Sequence, residues 1–237
     1  MSGLAKVFRV QRRAAVSTLL ILALAGCATP ASREPANLST LKREITHYVD
    51  SGEHQRQVAA VAARAQAWLE ERAARRGAGE RLARRGAGER LAVIFDVDET
   101  MLFNWETMTG ADFGYVPAVW DAWVFEARAP VIEPVLAVYR TARRLGIEVV
   151  FITGRPQTQH AATERNLRAV GCDDFLVLIC KPVTPKQPSG AYKLAERQRL
   201  TAEGLTIVAN LGDQQSDFFG GVSERDFKLP APFYITE

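Results

Sequence analysis

Histidine and cysteine are scarce in this 237-residue chain, with three of each. His47, His54 and His160 fall at no metal-ligand spacing, and no His-Glu-x-x-His helix is present. Neither a Gly-x-Ser-x-Gly elbow nor a Walker loop occurs, which removes the serine-hydrolase and P-loop classes. An Arg-His-Gly motif is also missing, so nothing supports a histidine phosphatase. Cys172 and Cys180 flank Phe175 to Ile179, which reads as a strand. Eight residues at about 3.3 Å each exceed the roughly 4.4–6.8 Å between Cα atoms that a disulfide allows, so two buried free thiols are expected. The apolar run Ala14 to Ala25 is 12 residues, too short to cross a bilayer.

What that run does suit is a signal peptide over residues 1–26, led by Lys6, Arg9, Arg12 and Arg13. It ends in Leu24-Ala25-Gly26-Cys27, which resembles the lipobox of bacterial lipoproteins, with lipid carried on Cys27. The expectation is therefore a lipid-anchored protein of a bacterial cell envelope, at the outer membrane or facing the periplasm, with residues 27–37 as its tether. Losing the four basic residues of the leader takes the formal net charge from +3 to −1. Basicity then gives no reason to expect a nucleic-acid partner.

Residues 38–90 read as N-terminal helices followed by a linker. Leu38, Leu41, Ile45, Tyr48 and Val49 keep helical spacing up to Ser51-Gly52, and Val58, Val61, Ala65, Trp68 and Leu69 keep it beyond. The nonapeptide Ala-Arg-Arg-Gly-Ala-Gly-Glu-Arg-Leu then appears twice, at 74–82 and 83–91. Two copies are too few for a repeat architecture, and neither matches the dinucleotide fingerprint, so a duplicated surface linker is expected. From 91 to 237 strands at 91–96, 147–152, 174–180 and 205–211, with a short one near 233–235, alternate with helices at about 134–145, 156–170 and 190–203. This alternation predicts an α/β fold, a Rossmann-like parallel sheet with helices on both faces. Residues 101–132, rich in aromatic rings from Phe103 to Phe125, read as an inserted cap.

The most informative stretch is Phe95-Asp96-Val97-Asp98-Glu99-Thr100, at the end of the apolar run Leu91 to Phe95. Strand geometry puts acids at i and i+2 on one side, roughly 6–7 Å apart. Ligands of parallel sheets bind just past the carboxyl ends of the strands. Three further polar groups belong to that edge: Thr153-Gly154-Arg155, Lys193, and Gly212-Asp213 with Asp217. Hard carboxylate oxygens suit Mg²⁺, whereas an ammonium and helix N-termini suit phosphate. An EF-hand fails, because its sixth position is Met101 and its twelfth Thr107.

Phe-Asp-Val-Asp-Glu-Thr, Phe-Ile-Thr-Gly-Arg, Tyr192-Lys193 and Gly-Asp-Gln-Gln-Ser-Asp resemble the four motifs of the haloacid dehalogenase (HAD) superfamily. More narrowly, Leu102-Phe103-Asn104, Glu164 to Leu167 and Lys228 to Tyr234 resemble the class B/class C lipoprotein acid phosphatases and the plant vegetative storage proteins. The resemblance implies an Mg²⁺-dependent acid phosphatase acting on small phosphomonoesters. It implies Asp96 as the nucleophile that becomes an aspartyl-phosphate and Asp98 as acid and base. Asp96, the backbone carbonyl of Asp98 and Asp213 would hold the metal, with Asp217 behind them, and Thr153 and Lys193 would bind phosphate. Trp105 or Tyr115 of the cap would meet the leaving group. A 5′-nucleotidase and a non-catalytic envelope binding or storage lipoprotein are the alternatives.

Overall fold

The centre of the sheet is a strand whose every residue but the first is buried, which is why its apolar run shows no alternation of polar and apolar residues. In the computed structural model, which describes residues 34–82, 88–184 and 187–236 and the side chains of these outside 76–82, Ser39–Glu237 form one compact unit. Its elements in chain order are α1 (Leu38–Asp50), α2 (Glu53–Leu82), β1 (Arg90–Phe95), α3 (Trp105–Gly110), α4 (Pro117–Glu126), α5 (Glu133–Arg144), β2 (Glu148–Pro156), α6 (His160–Ala169), β3 (Val177–Lys181), α7 (Ser189–Ala202), β4 (Leu205–Gly212) and β5 (Asp226–Lys228). The strands pair in parallel in the order β3-β2-β1-β4-β5.

Successive side chains of β1 serve opposite faces. Leu91, Val93 and Phe95 join α2 and α5 in one core, whereas Ala92 and Ile94 join Tyr192 and Leu200 of α7 in the other. That division requires helices on both faces, as the sequence pattern predicts. α2 is fixed to the sheet by its Trp68, whose Nε1–H donates to the Val208 carbonyl at 2.8 Å. Cys172 and Cys180 are free and buried, and burial pushes both thiols up to about 12.

Two expectations are corrected. α2 continues through the first nonapeptide to Leu82, where a linker is expected. Alanine, arginine and glutamate are good helix formers, and two glycines among them cost too little to stop the helix. Most of the second copy lies outside the described residues. The last strand is Asp226–Lys228 rather than 233–235. Pro230 and Pro232 cannot donate to a ladder, and the segment beyond them turns to pack Phe233 against Phe103 and Trp105. The inserted segment 101–132 contains α3 and α4, and the leader 1–26 and Cys27 lie outside the described residues.

Candidate active site

The carboxyl ends of β1 and β4 and one face of α7 converge on three buried acids and one buried lysine. Asp96 follows β1 directly, and its backbone N–H donates to the Leu211 carbonyl of β4 at 2.9 Å. Asp213 follows β4, and Asp217 lies one short 3-10 turn further on. That loop is pinned from below. Arg197 on α7 donates to the carbonyls of Asp217 and Phe219 at 2.5 Å each, and Asn210 donates to Asp217 O at 2.8 Å. Lys193 Nζ bridges Asp96 Oδ1 and Asp217 Oδ1, at 2.5 Å to each. One carboxylate oxygen from each of Asp96, Asp213 and Asp217 lies within 4.8 Å of the others, so the cluster could hold a divalent metal.

Charge explains why it should. One ammonium faces three buried carboxylates, and a divalent cation would supply the two missing positive charges. Without it, burial drives Asp96 well above the usual carboxylate range; Lys193 pulls it down, and Asp217, Asp213 and Asp98 push it further up. Burial and the Asp217 and Glu99 charges raise Asp213 to about 8. Burial alone would lower Lys193, but the two carboxylates beside it outweigh that and hold it charged.

Gly212 is required by this packing. A Cβ there would stand 2.2 Å from Asp217 Oδ2, the oxygen that accepts from the Gln214 backbone N–H at 2.8 Å. Gly212→Ala is therefore expected to displace Asp217 and weaken divalent-cation binding roughly 10–100-fold. Isothermal titration calorimetry checks this, and unchanged affinity would contradict it.

Asp98 is bound differently from Asp96. Arg155, 3% exposed, donates from Nη2 to Asp98 Oδ1 at 2.6 Å, and its guanidinium also lies 5.8 Å from the Trp120 ring centroid. Burial works against the Arg155 charge, but the adjacent Asp98 holds its pKa up. Glu99, wholly buried and at φ 53, accepts from Asn104 and from the Tyr234 hydroxyl. Burial and the Asp98 charge raise Glu99 to about 7, with Tyr234 and Asn104 pulling the other way.

Asp96, Asp98, Lys193 and Asp213 line a cavity of about 460 Å³. Its far wall comes from the inserted segment, including Met108, Phe113, Tyr115 and Trp120. Thr153 does not line it: that hydroxyl is buried and accepts from the Arg155 N–H at 3.1 Å, while Gly154 and Arg155 reach the wall. Of the two rings singled out in the sequence, Tyr115 lines the cavity and is 73% exposed. Trp105 instead packs among Phe103, Phe113 and Phe233. Arg155, Asn104, Glu99 and Tyr234 are the participants that sequence reasoning missed. The available signal was that all four lie inside the quoted motifs, which named no role for them.

Comparison with known proteins gives a consistent family. The model of the HAD superfamily, subfamily IIIB (acid phosphatase), matches residues 20–237. Acid phosphatase 1 of Solanum lycopersicum is 36% identical over 146 residues, which are 60% of this chain and 57% of that protein. A stem 28 kDa glycoprotein of Glycine max is 35% identical over 151 residues, 61% of this chain and 59% of its own. Vegetative storage protein 1 of Arabidopsis thaliana is 34% identical over 147 residues, with 60% and 54% covered. The matches thus span less than two thirds of these relatives' length. A class C acid phosphatase from Bacillus anthracis has the same fold, with a TM-score of 0.66 at 22% identity over 84% of this chain and 86% of that one. The expected location in a bacterial envelope, with lipid on Cys27, is overturned by the curated relatives, which are plant proteins.

Proposed function

This chain belongs to subfamily IIIB of the HAD superfamily, the acid phosphatases, and on that premise we propose that it is an Mg²⁺-dependent phosphomonoesterase with Asp96 as nucleophile. The observation that carries the reading is the unbalanced cluster of Asp96, Asp213 and Asp217 around Lys193, of which Asp96, Lys193 and Asp213 line a cavity large enough for a small ester. Hard carboxylate donors fit Mg²⁺. Asp96, Asp213 and the Asp98 carbonyl would hold it, with Asp217 beside them. Bound there, the cation would supply positive charge to offset that of the phosphoryl oxygens.

The chain's own groups account for the rest. An Asp96 oxygen attacks phosphorus as the bond to the leaving oxygen breaks, and Asp98 gives that oxygen its proton. A water then attacks the phosphorus of the Asp96 phosphoryl ester. Its proton passes to Asp98, the Asp96–phosphorus bond breaks, and inorganic phosphate leaves. Lys193 offsets the charge of the transferring group, and Thr153 supports the turn that presents Gly154 and Arg155. The wall of Met108, Phe113, Tyr115 and Trp120 receives the organic part of the ester. Purified protein with Mg²⁺ is expected to release phosphate from aryl, alkyl or nucleoside monophosphates, and to stop on chelation. No release from any of them would refute the function and leave the storage reading standing.

The acid cluster also predicts a pH signature. Asp96 and Asp213 have folded pKa values above their unfolded ones, so the stability they contribute to the metal-free protein is complete below about pH 4. It is lost as pH rises through about 8 for Asp213. A cation that binds the ionised forms reverses this. The rise in Tm on adding Mg²⁺ is therefore expected to grow from about pH 5 to about pH 8. A shift that shrinks over that range in differential scanning fluorimetry would contradict the account.

A further inference from the structure

A fully buried asparagine connects the inserted segment to the proposed acid–base residue. Asn104, 0% exposed, directs its side-chain NH₂ to two acids, Asp98 Oδ1 and Glu99 Oε1, at 2.9 Å each. Its backbone N–H reaches the same Glu99 oxygen at 2.9 Å. Its side-chain carbonyl accepts from Trp123 Nε1–H at 2.8 Å. An indole nitrogen can only donate, and an ionised carboxylate can only accept, so these partners fix which way the amide points. Trp123 belongs to α4 and carries the Arg128 guanidinium 4.4 Å from its ring centroid. The segment that walls the cavity therefore also determines how Asn104 is oriented.

The consequence falls on Asp98. Its Oδ1 receives Arg155 Nη2 at 2.6 Å, Asn104 Nδ2 at 2.9 Å and Arg155 Nε at 3.1 Å. Among the described residues its Oδ2 receives only Arg155 Nε, at 3.1 Å. The two oxygens are unequal: one is saturated with donors, and the other keeps most of its capacity to accept. We propose that Asn104 is a positioning residue for proton transfer, locked by Trp123 and Glu99 so that Asp98 Oδ1 is held and Oδ2 exchanges the proton. The inference rests on the phosphomonoesterase reading.

Leaving-group dependence tests it. The 4-nitrophenolate of 4-nitrophenyl phosphate departs without needing a proton, whereas the alkoxide of glycerol 2-phosphate needs one. Because the water step uses Asp98 for both esters alike, the rate to read is alcohol release in a single turnover. Asn104→Ala is expected to lower it roughly 10–100-fold for the glycerol ester and less than about threefold for the nitrophenyl ester. Trp123→Phe keeps an aromatic ring and removes the indole donor with part of the ring system, and should act in the same direction by about 3–10-fold. KM for both esters stays close to wild type. A merely structural role would lower both rates alike. Equal losses on the two esters, or none, in a folded variant overturn the positioning role. If Asn104→Ala does not fold, Trp123→Phe decides alone. Wild-type protein that hydrolyses neither ester refutes the phosphomonoesterase function itself, and this inference with it.

Discussion

Asp96→Asn is expected to lower turnover by on the order of 10⁴-fold or more while the protein stays folded. An amide oxygen is a poor nucleophile, and the variant cannot form the acyl-phosphate that divides the displacement into two steps. The fold should tolerate the change because Asn fills the same volume. In the metal-free protein the substitution also removes one of three buried carboxylates that share a single ammonium, and Lys193 keeps its contact with Asp217. Tm without metal should therefore match or exceed that of the wild type. Steady-state rates and a thermal melt check both halves. Activity retained in the variant would place the nucleophile elsewhere, and a collapsed fold would show that Asp96 is held for structure.

Lys193→Met is expected to damage both activity and stability. It removes the cation that contacts Asp96 and Asp217, leaving three buried acids with no opposite charge among them. Breaking a buried pair from one side costs about 3–5 kcal/mol. For a domain of this size that is a fall in Tm of about 10 °C or more. The sign with pH follows from burial. Without Lys193 the acids titrate still higher in the folded state, so the variant's deficit is smallest in acid and widens as pH rises. Melts of wild type and variant at several pH values check this, and a deficit that narrows toward neutral pH would contradict it. Turnover falls as well, because the lysine offsets charge on the transferring phosphoryl group.

How far the sequence could be read depended on the kind of interaction. β1, β2 and β4 are buried on both faces, and their apolar runs, interrupted in β4 by Thr206 and Asn210, were sufficient to find them. β5 has only Phe227 between two charged residues and exists because it pairs with Asn210–Gly212 at the sheet edge. No local pattern marks such a strand, although Pro230 and Pro232 argued against the later one. The acids and Lys193 were legible because parallel topology gathers strand ends along one edge. Glu99 and Tyr234 are 135 positions apart, and only the path of the closing segment joins them. Asn104 gains its place through Trp123, one ring of the inserted segment 19 positions on, which no local pattern pairs with it. The leader pointed to a bacterial envelope, whereas the curated relatives are plant proteins; targeting signals and the catalytic core carry separate information.

The most direct test is to look for phosphate on Asp96. Purified protein with Mg²⁺ is mixed with a phosphomonoester, quenched in acid during turnover, digested and examined by mass spectrometry. The account predicts that the peptide containing Asp96 gains the mass of one phosphoryl group, and that this gain disappears in Asp96→Asn. Turnover with no label on that peptide, or with the label on another residue, would contradict it.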